Sequence, residues 1–176
     1  MDHKIDAAIH DAIACLAAGR ADDALIRLGA VRTADEASPI KSNLIGLIYL
    51  SARDDAMALS WFDRALHLDC ACSAAWFNRG TALHQLGRPD ALASYDEALR
   101  LGLSEPALFY NRGNLLRETG RLEEAIASYD AALKHNPAYP EALRAGALVL
   151  RNLGRHESAL EFFDEALRCV QTSPRP

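Results

Sequence analysis

At 176 residues, half of them apolar, the chain has enough material for one domain with a continuous core. A net charge of −5 and a pI near 5.6 argue against a nucleic-acid binder, which needs a basic face. Apolar runs such as Leu44 to Leu50 are too short to cross a bilayer, and four cysteines at 15, 70, 72 and 169 lack the density of a disulfide scaffold, so a reduced, cytoplasmic protein is expected.

The N-terminal stretch carries acidic residues where a signal peptide needs a basic start, and it reads as an amphipathic helix. From there the chain tiles into units of about 34 residues. The first, 5–38, is degenerate but keeps Ala12, Gly19, Ala24 and Leu28. The second, 39–72, keeps Gly46, Tyr49, Ala58, Phe62 and Ala65, with Ser42 in place of the first aromatic and Arg53 in place of a turn glycine. The third, 73–105, gives Trp76, Gly80, Leu83, Gly87, Ala91, Tyr95 and Ala98, and is one residue short in its internal turn. The fourth, 106–139, is the clearest. Phe109, Gly113 and Leu116 fall at i, i+4 and i+7 on one helix face, Gly120-Arg121 breaks the pattern, and Ala125, Tyr129 and Ala132 repeat it before Asn136-Pro137 ends it. The fifth, 140–173, keeps Ala147, Leu150, Gly154, Ala159, Phe163 and Ala166, and the tail 171–176 carries two prolines that prevent further helix.

Each unit is thus a helix, a tight turn and a second helix, with small residues where helices approach and aromatics beside them. The spacing resembles the tetratricopeptide repeat position for position in the fourth unit, except for Arg112 where that family usually has leucine. The resemblance implies an all-α fold. Ten antiparallel helices would stack as an α-solenoid, a right-handed superhelix of five helix-turn-helix repeats with a concave and a convex surface, forming one domain over 1–176. Arg79 and Arg112 read as structural, their stems covering the gap between helices.

No nucleophile motif, phosphate loop or zinc-hydrolase spacing is present, so no enzyme, cofactor or metal is expected. The run His67, Cys70, Cys72 offers ligand types at a repeat joint. One Cys-x-Cys without a second pair is a weak metal signal, and oxidisable thiols are the simpler reading.

Function is expected on the inner helix face. With positions 4, 8 and 11 of each first helix packed inside, positions 2, 5, 6, 9, 12 and 13 turn toward the concave side. The resemblance makes this the partner-binding groove. Ile9, Ile13, Leu44 and Leu47 give an apolar stretch, Asn78, Thr81, Gln85, Asn111 and Asn114 an amide-rich strip, and Arg117, Arg144 and Arg151 a basic end. Asn78 and Asn111 occupy one position in successive units, within WFNRG and FYNRG, where an amide can bond an extended backbone. This looks like the asparagine ladder in repeats of O-linked N-acetylglucosaminyltransferase-related proteins of bacterial type, although His10, Leu44 and Ala145 interrupt it. Arg117, Arg144 and Arg151 are placed to clamp an acidic ligand. The chaperone-tail pattern of some family members is absent, since Phe77, Thr81, Ala107 and Asn111 stand at its positions.

The expected role is a protein-interaction scaffold for a protein or peptide partner, with neither nucleic acid nor membrane. Two alternatives differ in kind: a recognition arm of, or accessory to, a glycosyltransferase-like enzyme, and a self-assembling structural module. The last helix bears on the second. Phe163 and Leu167 are expected to pack inside their unit, while Leu160, Phe162 and Val170 lie near an apolar end. That end could serve a homodimer, be covered by a segment of a longer protein, or be met by the tail folding back.

Overall fold

Pro39, Pro106 and Pro140 each open a helix, at the position where a missing N–H costs nothing. The structure, a computed structural model, describes residues 7, 10–15, 18–29 and 38–172. Among these residues all regular structure is helical: α1 over 10–15, α2 (Ala21–Gly29), α3 (Pro39–Ser51), α4 (Asp55–Leu68), α5 (Ser73–Gln85), α6 (Ala91–Arg100), α7 (Pro106–Glu118), α8 (Leu122–His135), α9 (Pro140–Asn152) and α10 (His156–Thr172). Two compact units divide the chain, Met1–Gly102 and Leu103–Pro176.

The first unit holds α1 to α6. The hairpins α3–α4 and α5–α6 pack internally, and α5 covers α4. Ala58, Phe62 and Ala82 form one buried cluster with Leu47, Tyr49, Leu50 and Leu59 against it. Ala65, Leu66 and Ala75 form another, flanked by Cys72 and Trp76. In the second unit α7–α8 and α9–α10 are the hairpins, and α9 covers α8.

The hairpins close tightly because the sequence leaves out a Cβ where an aromatic ring must enter. A Cβ on Gly113 would stand 2.7 Å from the buried Tyr129 ring, and one on Gly80 2.6 Å from Tyr95. In the last hairpin this approach moves by one residue, since a Cβ on Gly146 would stand 2.9 Å from Phe162. The position paired with Phe162 explains the shift. Equivalent pairs in earlier hairpins are Arg79 with Ser94 and Arg112 with Ser128, bonded at 2.7 Å and 2.8 Å. Where a large polar side chain met a small one, a glycine now meets a large ring, and the volume is conserved.

Each hairpin turn needs one residue with positive φ. Gly87, Gly120 and Gly154 supply it at 66°, 78° and 74°, and Arg53 adopts the same conformation at 64°. The closing bond is the same with either residue: Asp54 N–H donates to Tyr49 at 3.0 Å, and Arg121 N–H to Leu116 at 2.8 Å.

Candidate interaction surface

In the first unit the inner faces of α3 and α5 meet. Asn78 Nδ2 donates to Asn43 Oδ1 at 2.9 Å, and each residue is only 9% exposed. The amide of Asn78 is therefore already engaged within the protein. Thr81 donates to the Phe77 carbonyl at 3.2 Å. Leu47 contributes to the core cluster around Phe62. Leu44 is half-buried, Gln85 and Ile13 are exposed, and Ile9 lies outside the described residues.

The second unit gathers its polar residues more sharply. An open cleft of about 240 Å³ is lined by Tyr110, Arg117, Glu141, Arg144, Ala145 and Leu148. Tyr110 is its aromatic lining residue, 6.1 Å from the buried Tyr129 and 5.2 Å from Tyr139 between ring centroids. The Tyr129 hydroxyl donates to Asn114 Oδ1 at 2.8 Å, which fixes the amide as an acceptor in this network. Burial pushes the Tyr129 phenol up, while the neighbouring Arg117 guanidinium pulls it down; burial also pushes up Tyr139. Arg117 lies 3.6 Å from Glu118, and among the described residues Arg144 and Arg151 make no ion pair. Asn111 is half-buried on the same helix as Tyr110. Two guanidinium groups beside Tyr110 and the exposed Leu148 can hold a carboxylate and an apolar side chain together.

Tyr110, Glu141 and Leu148 are absent from the sequence expectation, as is Asn43. The signal was available, because they occupy positions 5, 2, 9 and 5 of their helices, on the stripe that the packing rule turns inward.

Two residues of the last helix differ from expectation. Phe162 does not face an end of the repeat but fills the space against Gly146. Leu167, expected inside, is 59% exposed, and with Leu160 and Val170, each 63%, it forms an apolar stripe on α10. The register of α10 is responsible: Ala159 and Ala166 take the buried edge, so Leu160 and Leu167, one step round the helix, face outward.

Elsewhere Cys70 and Cys72 are free thiols at the α4–α5 joint, where the Trp76 indole donates to the Cys70 carbonyl at 2.8 Å. Among the described residues no three His, Cys, Asp or Glu side chains are grouped to hold a metal ion, and no helix is long and apolar enough to cross a membrane.

Stacked two-helix units with Gly-aromatic contacts and glycine-closed turns define a helical repeat protein of the α-solenoid class. Within that class, residues 88–134 and 110–174 match the profile of the tetratricopeptide repeat, so this part of the chain is similar to that repeat. Solved structures agree on the fold. A MamA structure beginning at residue 41, from Desulfovibrio magneticus RS-1, superposes with a TM-score of 0.82 at 18% identity over 98% of each chain. Another, titled as the crystal structure of MamA, gives 0.79 at 19% identity over 91% of this chain and 94% of the other. MamA MSR-1 gives 0.77 at 23% identity over 98% and 97%. No curated protein sequence matches the chain.

Proposed function

We propose that this chain is a non-catalytic protein-interaction scaffold, and that its second unit receives an extended segment carrying an acidic side chain next to an aromatic or aliphatic one. The observation that carries this reading is the cleft in which Arg117 and Arg144 stand beside Tyr110 and Leu148. A carboxylate there meets guanidinium groups in bidentate reach, and its apolar neighbour lies on Tyr110 and Leu148. Arg151, on the same helix as Arg144, extends the positive field. Cysteines at 15, 70, 72 and 169, outside any disulfide, suit a reducing, cytoplasmic setting.

The ladder that would make this a glycosyltransferase-like recognition arm has less behind it, because Asn78 is occupied by Asn43. The test uses fluorescence anisotropy with labelled peptides containing Glu-Phe or Asp-Leu, against the same peptides with Gln or Asn. Saturable binding of the acidic peptides, weakened at least tenfold by Arg117→Ala with Arg144→Ala, supports the reading. Equal binding of acidic and amide peptides, or equal binding by the double variant, refutes it.

A further inference from the structure

The nine residues Ala58-Leu59-Ser60-Trp61-Phe62-Asp63-Arg64-Ala65-Leu66 on α4 recur on α10 as Ala159-Leu160-Glu161-Phe162-Phe163-Asp164-Glu165-Ala166-Leu167. Alanine, leucine, phenylalanine and aspartate keep their places. On α4 this surface is covered: Leu66 packs with Ala75 of α5, Leu59 lies against the cluster that holds Ala82, and Asp63 accepts from Arg79 Nε at 2.7 Å. On α10 the same leucines are exposed. The molecule therefore contains, in α5, a template for the helix that α10 can receive.

That template has three parts: small residues seven apart (Ala75 and Ala82), so that the backbone comes close to the leucines; an aromatic at Trp76; and a cation at Arg79 between them. The cation matters. On α8 the equivalent aspartate, Asp130, is covered by α9 with Gly146 at the position of Arg79, and burial pushes its carboxyl up. Where the covering helix brings an arginine, the aspartate is paired instead. A second copy of this chain is a poorer fit. Ala7 and Ala14, both exposed, have the required spacing in its sequence, but Asp11 stands where Arg79 should and is already held by Arg27 at 2.9 Å. Two α10 helices laid antiparallel bring Asp164 near its own copy. In both cases like charges meet across a small apolar contact.

We infer that the Leu160–Leu167 face of α10 is a docking site for an amphipathic helix of another protein, one that presents small residues at i and i+7 and an arginine or lysine at i+4. The leucines supply the apolar contact, and Asp164 selects the basic helix. This surface is separate from the Arg117–Arg144 cleft and acts independently of it. Three helical turns bury less than a standard interface, so a dissociation constant on the order of 100 µM is expected.

The probe is a peptide of residues 73–86, stapled through positions 77 and 81 on the edge away from the contact, titrated into the full chain by anisotropy. Saturable binding is expected. Leu160→Asp with Leu167→Asp, both solvent-facing so that circular dichroism and melting stay unchanged, should weaken it at least tenfold. An Arg79→Glu peptide should bind the natural chain at least fivefold more weakly and recover on an Asp164→Arg chain. Binding that ignores the leucine changes, a charge swap that restores nothing, or no saturation by 1 mM overturns the inference. So does sedimentation showing a dimer dissolved by Leu167→Asp in a chain that ignores the peptide, which would give the face to a second copy.

Discussion

Replacing Gly113 with alanine sets two known effects against each other. Alanine is the better helix former, by about 1 kcal/mol. Its Cβ, however, would lie 2.7, 2.9 and 3.1 Å from three atoms of the Tyr129 ring, roughly 1 Å inside ordinary carbon contact. The ring is fully buried and its hydroxyl is tied to Asn114, so it cannot swing aside without losing that bond. Overpacking of this kind costs about 1–3 kcal/mol, and the lost bond about 1 more if the ring moves. The clash wins: Gly113→Ala should destabilise the protein by about 1–2 kcal/mol. Urea unfolding followed by far-UV circular dichroism measures this as a fall in the midpoint at unchanged slope. A companion Gly113→Ala, Tyr129→Leu variant should show the coupling, because the smaller side chain leaves room for the methyl. A neutral or stabilising Gly113→Ala would mean that α7 and α8 separate freely, and the close-approach argument would fall.

Three further outcomes are expected. Arg53→Gly should stabilise by about 0.5–1 kcal/mol: an L-residue at φ 64° carries a left-handed penalty larger than the chain entropy glycine adds to the unfolded state, and the side chain is exposed. A lower urea midpoint for the glycine variant would contradict this. Arg79→Ala should cost about 1–2 kcal/mol in the same assay, since it strips the bonds to Asp63 and Ser94 and the guanidinium from the face of the Trp76 ring; an unchanged midpoint would make the network ornamental. The raised phenols of Tyr129 and Tyr139 fix a pH dependence. The native state holds those protons more tightly than the unfolded chain, so this stability is complete below about pH 10 and is lost as pH rises through the native values. Unfolding free energy measured from pH 8 to 11 should fall, and Tyr129→Phe should flatten the decline; a flat natural profile would refute the assignment.

The repeat period, the helix starts at Pro39, Pro106 and Pro140 and the turn role of Arg53 were legible in the sequence because each rests on local chemistry: proline geometry, left-handed φ and helical spacing. The inward stripe was legible too, and it holds Tyr110, Glu141 and Leu148 as well as Arg117 and Arg144. What a stripe cannot say is which of its side chains the protein uses on itself. Asn78 reads as a groove amide in sequence, yet it is spent on Asn43, a residue 35 positions away. Only packing brings the rings of Tyr110, Tyr129 and Tyr139 together. The same limit governs the last helix. Its pattern promised that Phe163 and Leu167 would be inside, but the one-residue shift that seats Phe162 on Gly146 depends on volumes in the facing helix, and exposure of Leu167 depends on what covers it. Periodicity sets which residues share a face. Which neighbour meets that face is decided by the tertiary structure.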